Sequence, residues 1–279
     1  VEARAALGFS TTLEGSTRLT YVPASQTLYA EPRAAVRYDG TSAVGTYALR
    51  LAGGLYRQFV NVVAFRYPGP AAIAPELLFW LPVSEGAPPR AIHLSADALV
   101  MPSETWPLRA EAFARWEGHL LALDVPALQA ARDVDGQTVT DERDALEGAT
   151  GRTGGGGLRL DYHGTWLRGG VSYAFEDARR SVPGRYEGQR LVVPWSAPHR
   201  LRGDADLRFG AGLGLDAVGL RALGQAAFGR TWGYRGAYYD YLPGVSSPLL
   251  DADFRTELDT PDTAQLPADV RLDLGGYAE

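Results

Sequence analysis

The residues predict an all-β chain, an incomplete antiparallel up-and-down β-barrel of the transmembrane kind. Three observations carry this: long period-2 alternation, proline-poor alternating segments, and connections that are short and long in turn. The plainest segment is Thr105 to Gly118. One parity holds Trp106, Leu108, Ala110, Ala112, Ala114 and Trp116; the other holds Arg109, Glu111, Phe113, Arg115 and Glu117. Alternation sustained over more than about ten residues means a long strand. A helix would scatter these residues around its axis, and Pro107 would be tolerated only in a first turn. Taken alone, this strand suits a membrane barrel wall or a soluble two-layer sheet equally. A buried sheet face would more often use Val, Ile and Phe where small Ala residues dominate here.

Composition narrows the classes. The chain has 279 residues, 46% of them hydrophobic and 22% charged, which excludes disorder. Gly, Tyr and Trp are plentiful, in keeping with all-β structure. A net charge of -6 and the lack of a basic stripe argue against a nucleic-acid partner. The absence of cysteine removes disulfides, thiolate metal sites and thiol nucleophiles. No apolar run reaches the ~18 residues of a transmembrane helix, so membrane insertion would have to use strands. The opening VEARAALGFS lacks an initiator Met and a signal-like run, and the closing VRLDLGGYAE stops inside an alternating segment. The expectation is a fragment of one barrel domain spanning 1–279, cut on both sides.

In order along the chain, about ten strands are expected. Residues 3 to 9 set Ala3, Ala5, Leu7 and Phe9 against Glu2 and Arg4; residues 28 to 39 set Leu28, Ala34, Val36 and Tyr38 against Tyr29, Glu31, Arg33 and Arg37. A turn at 39–42 leads to Tyr47, Leu49, Leu51 and Leu55 opposite Arg50. Residues 57 to 90 hold too much proline for a ladder and read as a long loop. Alternation resumes at Ile92 to Val100, turns through Pro102-Ser103-Glu104 and enters the 105–118 strand. A second loop, 119 to 156, ends in the glycine run 154–157. That run lacks the Lys and Ser/Thr of a phosphate loop and reads as flexible. Strands follow at Leu158–Tyr162 and Leu167–Phe175, then a loop over about 179–198. A hairpin runs from Leu201–Phe209 to Leu220–Phe228, a loop covers about 232–267, and a last strand contains Val270, Leu272 and Leu274.

The connections choose between the two β readings. Turns near 40, 103, 164 and 212 alternate strictly with long loops. An up-and-down barrel puts every second connection on one side, and short periplasmic turns with long outer loops mark the outer membrane. A Greek-key sandwich has no reason to keep that order. Tyr38, Tyr47, Trp106 and Trp166 lie near short turns, as a lower aromatic girdle requires.

Loose strand motifs also resemble a family. Pro194-Trp195-Ser196-Ala197-Pro198-His199-Arg200-Leu201, Gly229-Arg230-Thr231-Trp232-Gly233-Tyr234-Arg235 and Ala237-Tyr238-Tyr239-Asp240-Tyr241-Leu242 resemble late barrel strands of TonB-dependent outer-membrane receptors. Glu31-Pro32-Arg33-Ala34-Ala35-Val36-Arg37-Tyr38 and Tyr56-Arg57-Gln58-Phe59 resemble earlier strands of the same barrel. The resemblance covers nearly the whole chain but contains no catalytic signature. It implies a barrel of about 22 strands, of which about ten are visible, with an N-terminal plug domain and TonB-box segment outside this sequence. It implies location in the bacterial outer membrane, contact with outer-membrane lipid, energy from the TonB complex, and import of a siderophore, a cobalamin-like molecule or a glycan. An enzyme is not expected. An open half-barrel leaves two unpaired edges, so the fragment alone should not be stable in a membrane.

Candidate chemistry is sparse. His93, His119, His163 and His199 do not share a metal-ligand spacing, and no metal or other cofactor is expected. Asp133, Asp135, Gly136 and Asp141 lack the later acidic spacings of a calcium loop. His199 reads as a strand-entry residue. Arg33, Arg50, Arg109, Glu111, Arg115, Glu117, Arg200, Arg202, Asp204 and Asp206 are expected to face the lumen as ladders of opposite charge. Phe79, Trp80, Trp195, Trp232, Tyr234, Tyr238, Tyr239 and Tyr241 are the expected ligand contacts, on long loops held by a rigid scaffold. They could equally form an upper girdle or pack the loops. A passive porin with an inward-folded loop, and a soluble β-rich binding protein or enzyme, are the competing readings.

Overall fold

A computed structural model describes residues 2–65, 77–82, 87–123, 146–182, 190–193, 196–210, 217–232 and 264–278; of 62–65, 77–82, 122–123, 146–147, 232 and 264 it describes the backbone only. The described chain is all-β and antiparallel. Its strands are β1 (Glu2–Leu7), β2 (Thr11–Val22), β3 (Thr27–Ser42), β4 (Gly45–Arg57), β5 (Val60–Phe65), β6 (Leu77–Pro82), β7 (Arg90–Met101) and β8 (Leu108–Leu123). There follow β9 (Leu146–His163), β10 (Leu167–Ser181), β11 (Leu191–Val192), β12 (His199–Gly210), β13 (Ala217–Phe228), β14 (Thr231–Trp232), β15 (Ala264–Gln265) and β16 (Asp269–Ala278).

One twelve-stranded sheet organises them, in the order β1-β2-β3-β4-β7-β8-β9-β10-β12-β13-β16, with β11 added to β10. Every main-path neighbour is next in sequence once β11 and the small hairpins β5-β6 and β14-β15 are set aside, so the sheet is a meander. It is open: β1 and β16 are its edges.

Register makes the alternation two-dimensional. One row runs Leu7, Thr11, Tyr38, Leu49, Ala98, Ala110, Leu158, Tyr173, Leu201, Ala226 and Val270 across eleven strands. The adjoining row includes Arg37, Arg50, Asp97, Glu111, Gly157, Ala174, Arg200, Ala227 and Asp269. Neighbouring rows point to opposite faces, so one whole face is apolar and the other polar.

Among the described residues no hydrophobic core lies beneath the sheet. The buried apolar residues are Ala149, Ala178, Val193, Ala197 and Ala217, and the largest fully buried side chains are Glu31, Pro88 and Ser196. The large apolar side chains instead lie in the open: Leu51 is 58% exposed, Leu94 50% and Leu274 75%.

Several sequence-based expectations need correction. Residues 11–22 form β2, a full strand between the first two expected ones. Its alternation is masked because Thr11, Gly15 and Thr17 stand where larger apolar residues would announce it. The turn that follows, Pro23–Ser25 with Gln26 at φ 50, is short. It lies at the same end as the long connections, so short and long do not alternate strictly. The β3–β4 turn sits at Ala43 and Val44 rather than 39–42, with Gly45 at φ 121. There a side chain would run into the carbonyl of Met101.

The expected loops shrink. β8 continues to Leu123 past an irregularity between Glu117 and Leu120, where His119 takes φ 56 and an extra residue is absorbed as a β-bulge. The glycine run belongs to the middle of β9, fully paired on both sides. Its flexibility is therefore not what the structure uses. At Gly156 an added Cβ would lie 2.7 Å from the Glu111 carbonyl oxygen, whereas at Gly154 the nearest atom is 3.7 Å away. Close backbone approach explains the first glycine better than mobility does. The proline-rich 57–90 stretch carries its own hairpin, with Val60 to Phe65 opposite Pro82 to Leu77. Proline at the end of β6 leaves its interior ladder intact. β10 runs to Ser181, and Thr231–Trp232 pairs with Ala264–Gln265 inside the last long connection.

Candidate functional site

All ten charged residues expected to line one wall do share a face, because each sits on the polar parity of β3, β4, β8 or β12. Their pairing is only partly a ladder of opposite charge. Arg50 lies 3.8 Å from Asp97 on β7. Asp204 accepts from Arg159 of β9 at 3.0 Å, and the same guanidinium holds Asp161 at 2.7 Å. Asp206 accepts from Arg221 at 2.8 Å and from the Tyr277 hydroxyl at 2.8 Å, with the Arg221 guanidinium 4.4 Å from the Tyr277 ring centroid. Arg115 pairs with Glu117 along its own strand at 3.3 Å. Like charges also oppose: Arg37 faces Arg50, Arg109 faces Arg159, and Asp97 faces Glu111. Arg200 is opposite Ala174 and Ala227, and Arg202 is opposite Ser172 and Gln225. The wall is thus a mixed field in which each cation has several carboxylates within a strand or two.

Towards the end bearing the long connections, this polar face becomes aromatic. Tyr29 on β3 meets Phe59 at 5.5 Å, Tyr56 on β4 meets His93 on β7 at 6.2 Å, and His93 meets Phe113 on β8 edge-on at 6.2 Å. The Arg33 guanidinium lies over Tyr56 at 4.4 Å and that of Arg57 over Tyr29 at 4.9 Å. Together they make a surface of rings and guanidinium groups, in which Arg57 Nη1 also donates to the Ala30 carbonyl at 3.1 Å.

Beneath it lies Glu31, 1% exposed although the sheet has almost no interior. Its Oε1 accepts from the Arg57 backbone N–H at 2.7 Å, and its Oε2 lies 3.6 Å from Arg18. A buried carboxylate is costly unless paired and hydrogen-bonded, so this one anchors the start of the β4–β7 connection to β3. Gln58 donates its backbone N–H to Pro89 at 3.0 Å, and Asn61 is 8% exposed. The two ends of the connection are therefore tied together, with Phe59 at its start packed on Tyr29 of the polar face.

Of the eight expected ligand contacts, only Phe79, Trp80 and Trp232 lie within the described residues, as backbone alone. Phe79 and Trp80 lie in β6 opposite Val63 and Val62, and Trp232 lies in β14 opposite Ala264; their side chains are outside the described residues, as are Trp195, Tyr234, Tyr238, Tyr239 and Tyr241 altogether. The aromatic group that the structure does assemble, Tyr29, Tyr56, Phe59, His93 and Phe113, was not singled out. Its signal was present as aromatics on the charged parity, Tyr29 beside Glu31 and Phe113 beside Glu111. Among the described residues no cluster of three or more His, Cys, Asp or Glu could hold a metal ion. No described helix is long and apolar enough to cross a membrane, which says nothing about a barrel.

On the apolar face, aromatics mark two levels. Near the short turns are Tyr38 and Tyr47, 5.9 Å apart, and Trp106 and Tyr162, 4.6 Å apart, with Trp166 57% exposed beyond them. Nearer the long connections are Trp116, Phe175 and Phe228, with His199 stacked 4.9 Å from Phe228 and tilted against Phe175 at 5.3 Å. The His199 Nδ1 shares a 2.7 Å hydrogen bond with the Tyr173 hydroxyl. His199 is the first residue of β12, as its reading as a strand-entry residue requires.

No family model matches the chain, and neither the curated proteins nor the solved structures contain a match.

Proposed function

We propose that this chain is part of the wall of an outer-membrane β-barrel that imports a scarce, bulky nutrient, with a plug domain elsewhere in the protein and energy from the TonB complex. The observation that carries the membrane half of this reading is the spacing of the aromatic levels. Trp106 and Trp116 bracket the apolar residues of β8, ten residues or ~33 Å apart along a strand at about 3.3 Å per residue. Tilted by roughly 40°, that span covers ~25 Å of membrane normal, the height of the apolar band of such barrels. The meander order and the placement of long connections at one end support the same reading. Lipid would cover the apolar face, and the charged face would meet water and plug. Reversing the faces would cost about 2–4 kcal/mol per midplane charge.

The transport half rests on the resemblance of the strand motifs to TonB-dependent receptors and on the aromatic and arginine surface at the ligand-entry end. There Tyr56 and Phe113 would stack on a ligand and Arg33 would hold its anionic or hydroxyl groups. A passive porin is the second reading, favoured by one observation: Phe59, at the start of the β4–β7 connection, packs on Tyr29 of the polar face, where a constriction loop would fold inward. The whole protein in a planar bilayer separates the two. An importer gives no steady ionic conductance, and its uptake in cells stops when a protonophore collapses the proton gradient. A steady conductance with gradient-independent uptake would overturn the importer.

A further inference from the structure

Charge on the apolar face is confined to one end. Between the two aromatic levels the apolar parity of β1–β16 carries no Asp, Glu, Lys or Arg. Beyond Trp116 the same parity carries Arg57 on β4, Arg90 on β7, Arg152 on β9, Arg179 on β10 and Arg190 just before β11, with Asp177 as the one carboxylate among the described strand residues. Arg57 is turned away onto Tyr29, and Arg179 holds both oxygens of Asp177 at 2.9 and 3.1 Å. Arg90, Arg152, Arg179 and Arg190 are exposed.

Register gathers two of them beside Trp116. Trp116 is opposite Arg152, which is opposite Arg179. These residues, with Thr150, Ser181 and Arg190, line one shallow depression of about 230 Å³. Glu117 borders it but is engaged by Arg115 at 3.3 Å. The depression thus has an apolar floor edge at Trp116, hydroxyls at Thr150 and Ser181, and an excess of guanidinium groups one row above the apolar band.

Resting on the membrane reading above, we infer that this depression is a binding site for the phosphate headgroup of a lipid in the leaflet at the long-connection end. Guanidinium forks match phosphate oxygens in pairs, and the neighbouring small-residue face of Ala112, Ala114, Gly154 and Gly156 leaves room for the acyl chains. A lipid is favoured over a free anion because the cations continue directly from the apolar face. A dissolved phosphate would gain nothing from Trp116 or from the chains' seat below it.

The test uses the whole protein in nanodiscs of phosphatidylcholine with a minor fraction of phosphatidic acid, and native mass spectrometry of the lipids it retains. Enrichment of phosphatidic acid over the bulk mixture is expected. It should fall about fivefold for each charge removed in Arg152→Gln and Arg190→Gln, while Arg271→Gln on the opposite face leaves it unchanged. Equal retention of both lipids by the parent protein, or loss of enrichment in the Arg271 variant alone, would overturn the site while leaving the barrel standing. Displacement of the lipid by millimolar inorganic phosphate would overturn the lipid as occupant. Failure of the protein to enter nanodiscs at all would instead sink the membrane reading on which the site rests.

Discussion

The two faces of β8 come from the same backbone and the same run of residues, yet they obey opposite rules. On one face Leu108, Ala110, Ala112 and Ala114 carry no polar atoms in their side chains, and no layer of described residues covers them. On the other, Arg109, Glu111 and Arg115 face side chains of β7 and β9. In a soluble sandwich the apolar face would be the buried one, and burial would supply the folding free energy. Here burial among the described residues is nearly absent, so on the proposed reading stability comes from the ladder itself and from lipid over the open face. The contrast teaches that alternation reports which sides differ, while the surroundings decide which side is inside.

The largest expected effect exploits adjacent residues. Ala96 sits on the apolar face opposite Leu51 and Ala112, and Ser95 on the polar face opposite Ala52 and Phe113. Ala96→Arg should destabilise the membrane-folded protein by about 2–4 kcal/mol, and Ser95→Arg by less than about 1. Denaturant unfolding from lipid vesicles measures both; equal costs would erase the distinction between the faces.

A smaller effect separates glycines on the same apolar parity. Gly156→Val pushes a side chain against the Glu111 carbonyl and should cost about 1–3 kcal/mol, whereas Gly154→Val has room and should change stability by less than about 0.5. The same unfolding experiment decides this, and a tolerated Gly156 variant would return the run to a role in flexibility.

On the polar face, Tyr56→Ala and Phe113→Ala should each raise the half-saturating ligand concentration for uptake about three- to tenfold. They should leave the amount of folded protein in the membrane unaltered. The smallest effect is Asp206→Asn. It weakens the links to Arg221 and Tyr277 on an exposed wall and should lower the unfolding midpoint only slightly, less in high salt.

How much of this was legible in the sequence follows from where each signal resides. The parity of β3, β4, β7, β8, β10, β12 and β13 was legible because large apolar and charged residues alternate without interruption. β2 was not, since Thr11, Gly15 and Thr17 break the apolar series and only register with β3 restores it. The glycine run misled because glycine marks both mobility and close strand approach, and local sequence cannot separate them. The aromatic group of Tyr29, Tyr56, His93 and Phe113 draws one residue from each of four strands, so no window on the sequence contains it. The charged wall was legible as a face but not as pairs. Register sets Arg109 against Arg159, and Asp204 finds its partner two strands away.

The most direct test of a lipid-covered face is a cysteine scan of β8. Residues 1–279 contain no cysteine, so in the whole protein, with any cysteine outside them replaced, each substitution from Leu108 to Arg115 gives a single label site. A polarity-sensitive fluorophore on the whole protein in vesicles should be quenched by brominated acyl chains at 108, 110, 112 and 114. At 109, 111, 113 and 115 it should be quenched by aqueous iodide, in strict alternation. Aqueous quenching at every position, or no alternation between the two quenchers, would contradict the barrel wall and return the sheet to a soluble setting.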